Sequence, residues 1–136
     1  MLPTGGLMAT RIFLGLEALL WLPYGIYCFL VPGSLAQAAG VVARTATGSV
    51  ELRAMYGGLQ AALGALALAA ALRPALAQTA LRTLAVLAGG LASARLLGAL
   101  FAGGFSPYTT MGLAFEIPTL VISVALLRQV PERTLA

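Results

Sequence analysis

The sequence predicts an all-α fold, an integral membrane four-helix bundle running antiparallel, up and down. Three observations carry that class. Of 136 residues, 60% are hydrophobic and only 9% charged, whereas an ordinary soluble domain is about 25% charged. Four apolar segments of about twenty residues or more follow one another, and at 1.5 Å per residue each can cross a hydrocarbon core of ~30 Å. Pro and Gly pairs punctuate the intervals between them. The length suits one bundle, not two domains.

The first segment runs from about Ala9 to Val31 and stops at Pro32-Gly33. It holds Glu17 and exceeds a signal-peptide core, so it reads as a retained helix. Met8 offers an alternative start, and residues 1–8 read as a disordered N-terminal tail. The second segment runs from about Val50 to Leu72, and Arg73-Pro74 separates it from the third, about Leu76 to Ala102. Gly103-Gly104 and Ser106-Pro107 turn the chain into the fourth, about Tyr108 to Val130, which Pro131 ends, leaving 131–136 as a C-terminal tail. The long connection, 32–49, is an outer loop in which "SLAQAAGVV" predicts a short interfacial helix.

All charge is carried by eight Arg and four Glu. The net charge of +4 is scattered beside apolar runs, which makes it a topology signal and argues against nucleic acid as a partner. Arg11, Arg73, Arg82, Arg128 and Arg133 flank one side, Arg44 and Arg53 the other. The positive-inside rule then places both termini in the cytoplasm and the 32–49 loop outside. The Ala- and Arg-rich, Lys-free composition fits a bacterial inner membrane. Without His, the usual ligands of haem iron and catalytic zinc are missing, so neither metal nor cofactor is expected. Cys28 stands alone, cannot form an internal disulfide, and reads as a small apolar core residue.

The ionisable residues inside the apolar segments are the candidates for a site, because each central charge costs ~2.5–3.5 kcal/mol to insert. Helical phase puts Thr10, Glu17 and Tyr24 on one face of the first helix. It puts Arg53, Gly57, Gln60 and Gly64 on one face of the second, with Tyr56 at its edge. Arg95 shares a face with Ala88, Ala92 and Ala99, and Thr109, Gly112, Glu116, Thr119 and Ser123 form a polar stripe on the fourth. Arg95 lies ~10 Å from the outer end of its helix and Glu116 ~12 Å from the outer start of the next. The two are therefore level, and pairing is expected. Pro118 removes a backbone donor beside Glu116 and favours a kink. Together Glu17, Arg53, Tyr56, Gln60, Arg95 and Glu116 form the expected polar core or ligand site, with Arg53 directed at a carboxylate of a neighbouring helix. Ser49 is the expected N-cap of the second helix, and Glu51 its first-turn anion.

Two readings of that core stay open. It fixes helix register, as buried polar networks do, or it serves a ligand or a proton. The favoured function is a ligand-binding or accessory membrane protein without covalent cofactor, in contact with membrane lipids and taking an amphipathic ligand. The alternatives are a cofactor-free enzyme acting on an amphipathic lipid or quinone, and proton-linked transport of a small solute. A thin four-helix pathway would make transport depend on a homo-oligomer or a larger membrane complex. No nucleophile–base pair or phosphate loop supports an enzyme directly.

The stretch "ELRAMYGGLQAALGALAL" resembles the hallmark of a bacterial family of small four-helix membrane proteins known only as a domain of unknown function. "GGLASARLLGALFAGGFSP" and "AFEIPTLVISVALL" extend the resemblance over most of residues 9–130. The family often starts the turn after the third helix with an acid; here Ala102-Gly103-Gly104-Phe105 carries none. The architecture is also loosely similar to the DoxX group of four-helix membrane proteins, some of them linked to quinone or thiol redox systems. A single Cys28 does not support dithiol chemistry.

Overall fold

The computed structural model describes residues 4–129, which form helices and their connections with no strand among them. Helix α1 spans Thr4–Leu30 and α2 Ser34–Ala39. α3, Ala46–Leu52, passes through a π-helical turn, Arg53–Gly58, into α4, Leu59–Leu72. A 3-10 turn at Pro74–Leu76 leads to α5, Ala77–Phe101, and α6 is Pro107–Leu127. Four stretches are long and apolar enough to cross a membrane: Gly6–Leu30, Ala46–Leu72, Pro74–Phe101 and Pro107–Leu127. The protein is a multi-pass membrane protein whose exposed leucines, valines and isoleucines meet lipid.

Several boundaries differ from expectation. α1 begins at Thr4, so residues 4–8 are helical where a tail was expected; Thr10 Oγ1 donates to the Gly6 carbonyl at 2.9 Å within this first stretch. The second spanning stretch begins at Ala46 because Thr45, in extended conformation, is its N-cap and accepts from the Gly48 N–H at 3.0 Å. Ser49 is therefore not the cap, and Glu51 lies beyond the first turn. Both Thr45 and Ser49 are good capping types, and the weakly apolar Ala46-Thr47-Gly48 between them gave hydropathy no reason to choose the earlier one. α6 continues as one helix through Pro118 and ends at Leu127. Val130, Arg133 and the rest of 131–136 lie outside the described residues.

The turn between α5 and α6 has a simple cause. Gly103 sits at φ 73°, a left-handed position that disfavours side chains. Its N–H donates to Leu100 and that of Gly104 to Ala99, at 3.2 and 3.0 Å, the paired pattern that ends a helix on an αL residue. Ser106 then caps α6 by accepting from the Thr109 N–H at 3.1 Å, with Pro107 in the first turn.

The bundle is built from two antiparallel pairs, α1 along α4 and α5 along α6, with less contact between pairs. Glycine sets the first pair. A Cβ on Gly64 would lie 2.7 Å from the Leu22 Cβ, one on Gly57 2.7 Å from the Phe29 Cβ, and one on Gly25 2.8 Å from the Gly57 carbonyl oxygen. Side-chain-free contact of this kind lets membrane helices approach closely. Arginines secure both ends of the pair. Arg11 Nε donates to the Ala71 carbonyl in the last turn of α4 (3.0 Å), and Arg53 Nε to the Phe29 carbonyl in the last turn of α1 (3.1 Å). Those carbonyls lack intrahelical partners and form the negative end of each helix.

Leu14, Leu81, Leu84 and Ala70 pack the main core near the end of the bundle that holds the α4–α5 connection. Buried Cys28 lies toward the opposite end of α1 as a small apolar residue.

Gly64→Ala is expected to lower stability by about 1–3 kcal/mol through overpacking against Leu22. Gly90→Ala, where an added Cβ meets nothing within 4 Å, is the control and is expected to cost nothing. Thermal unfolding in detergent compares the two; equal melting temperatures would contradict the glycine contact.

Candidate functional site

Arg95 on α5 and Glu116 on α6 meet through three hydrogen bonds. Nε contacts both carboxylate oxygens at 3.1 Å and Nη2 contacts Oε1 at 2.7 Å. The Glu116 side chain is 4% exposed and that of Arg95 25%. Gly112 makes room for the guanidinium, since a Cβ there would lie 2.6 Å from the Arg95 Cζ. Tyr108, one helical turn before Gly112, places its ring 5.7 Å from the same Cζ, in cation–π contact. Its hydroxyl bonds that of Tyr24 on α1 at 2.9 Å, so a polar chain runs from Glu116 across to the other helix pair. Arg95 Nη1 makes no hydrogen bond among the described residues.

Glu17 lies apart from this chain. Trp21 Nε1 donates to Oε2 and Thr119 Oγ1 to Oε1, both at 2.8 Å, and no guanidinium reaches it among the described residues. The Trp21 ring packs on Phe115, with ring centroids 5.3 Å apart. One turn beyond Thr119 on the polar stripe, the Ser123 hydroxyl is fully buried and has no hydrogen-bond partner among the described residues.

Arg53 does not enter the core. Besides the Phe29 carbonyl it bonds the Ser49 hydroxyl, four residues earlier on its own helix. The π turn that begins at Arg53 inserts extra backbone into the helix, so a constant-phase wheel misassigns the face. Gly57 and Gly64 turn to α1, while Tyr56 and Gln60 turn elsewhere. The expected four-charge cluster is thus one ion pair, one separately satisfied glutamate, and one helix-capping arginine.

Tyr56 and Gln60 line a cavity of about 660 Å³ between the four spanning helices. Trp21, Leu63, Leu87 and Phe115 are among its apolar walls, and Arg95, Glu116, Tyr24 and Tyr108 are among its polar lining. Met55, Leu59 and Met111 border it and are exposed. Tyr108, Trp21 and the two methionines were not in the expected site. Tyr108 could have been found from depth alone, because it starts the helix that carries Glu116. The methionines give no polar signal, whereas Trp21 carries one in its indole N–H, four residues after Glu17. Among the described residues, no group of His, Cys, Asp and Glu could hold a metal ion.

The chain belongs to the family described as "Domain of unknown function (DUF4345)", which matches residues 9–127. No curated protein and no solved structure matches it.

Breaking the pair from one side should be costly. Arg95→Met leaves Glu116 buried without its guanidinium and is expected to destabilise by about 3 kcal/mol. Arg95→Met combined with Glu116→Leu is expected to recover most of the loss. A double-mutant cycle read by denaturant unfolding checks this, and additive losses would show that the two residues do not interact.

Proposed function

For this member of a family without assigned activity, we propose that the protein binds a small amphipathic ligand in the cavity between its helices, without a covalent cofactor. The observation that carries the reading is one space with two characters. Its walls are apolar, while its lining includes Arg95, a guanidinium anchored by Glu116 whose Nη1 makes no hydrogen bond among the described residues. A volume of about 660 Å³ falls within the range of small-molecule sites.

The distribution of arginines supports a topology with the termini in the cytoplasm. In a bacterial inner membrane, the polar end of the cavity then lies in the outer half, below the loop that carries α2. The exposed apolar border at Met55, Leu59 and Met111 suits sideways access from lipid, and methionine adapts to irregular partners. Binding is favoured over acid–base catalysis because Glu116 is held by Arg95, and Glu17 by Trp21 and Thr119. A general base needs a free carboxylate within hydrogen-bond reach of the reacting proton.

Native mass spectrometry of protein extracted in mild detergent tests the proposal. The expected result is a bound amphiphile that survives purification and is lost in Leu91→Phe, which narrows the cavity. A protein that carries no amphiphile, and that Leu91→Phe stabilises, would show instead that the space is only a packing defect.

A further inference from the structure

Resting on the reading of the cavity as a binding site, we infer that it selects amphiphiles with an uncharged, hydrogen-bonding head, an alcohol or a carbonyl, over fatty acids and phosphate-bearing lipids. Arg95 and Glu116 are the charged side chains in the lining, and they neutralise each other. An anion approaching Nη1 meets the Glu116 carboxylate already seated on the same guanidinium. That repulsion offsets part of the attraction to the guanidinium, so the dehydration of the anion is compensated only in part. A neutral acceptor loses far less hydration and still takes the Nη1 bond.

The remaining polar groups in the lining fit the same class. The Tyr56 hydroxyl and the Gln60 amide both donate and accept, and neither makes a side-chain hydrogen bond among the described residues. The Tyr24 and Tyr108 hydroxyls bond each other, and each keeps lone pairs that can accept. A hydroxyl or carbonyl head can meet all of these groups. A phosphate calls for clustered cations or free helix N–H groups. The cavity offers no second cation, and at the nearby start of α6 the Thr109 N–H is already taken by Ser106.

The protein supplies its own reporter, because Trp21 is its one tryptophan, is 6% exposed and lines the cavity. Bromine quenches tryptophan on contact. The probes are 9,10-dibromostearyl alcohol and 9,10-dibromostearic acid, titrated in bromine-free detergent at a pH where the acid is ionised, with Leu91→Phe as the blocked control. The alcohol is expected to quench Trp21 at about tenfold lower concentration than the acid. Glu116→Gln, which removes the repulsion, is expected to reverse that order.

If neither probe quenches the unaltered protein more than the blocked variant, the cavity reading falls and the selectivity falls with it. If the acid quenches as well as the alcohol or better, the cavity reading stands and the selectivity is overturned. An unchanged order in a folded Glu116→Gln protein overturns the electrostatic cause. The comparison on the unaltered protein decides the selectivity even where that variant fails to fold.

Discussion

A guanidinium carried into an apolar bundle is costly unless a carboxylate meets it, and the pairing of Arg95 with Glu116 constrains much of the half of this protein that holds the α5–α6 turn. The pair is formed only if α5 and α6 hold one register, which the Gly103 turn and the Ser106 cap fix from their ends. It also needs Gly112, because any side chain there would occupy the place of the guanidinium. Once Arg95 lies across Gly112, Tyr108 covers it, and the Tyr108 hydroxyl reaches Tyr24 on the other helix pair. The polar chain thus ties the two pairs together at a level where apolar packing between them is thin.

The rest of the molecule divides its tasks by depth. Toward the end with the α4–α5 connection, Leu14, Leu81 and Leu84 fill the interior. Toward the other end, glycine contacts hold α1 close to α4, while α5 and α6 are held by the ion pair, and the space left between the pairs is the cavity. The two capping arginines, Arg11 and Arg53, complete this plan by satisfying last-turn carbonyls at opposite ends of the α1–α4 pair. Arginine thereby serves both in an interhelical pair and as a helix-end donor.

The four spans were legible because length and hydropathy are collective properties of some twenty residues each. The Arg95–Glu116 level was legible because helical rise is constant and the turn between those helices is short. What misled the reading was local. The π turn at Arg53–Gly58 breaks the constant phase on which a wheel depends, and it does so without a Pro, Gly57-Gly58 being its one mark in the sequence. The destination of Arg53 was missed for a second reason: its long side chain reaches a backbone carbonyl, which every residue offers and no sequence pattern distinguishes. Glu17 was grouped with the cations in one polar core, yet an indole and a hydroxyl satisfy it without one. The cavity depends on how four helices diverge, and single-helix patterns carry little of that information.

A structure of the protein purified in nanodiscs of its native lipid tests the central claim most directly. The account predicts continuous non-protein density along the apolar walls beside Trp21, ending within hydrogen-bond distance of Arg95 Nη1. Leu63, Leu87 and Phe115 closed over an empty space, with Nη1 turned to a backbone carbonyl, would contradict it.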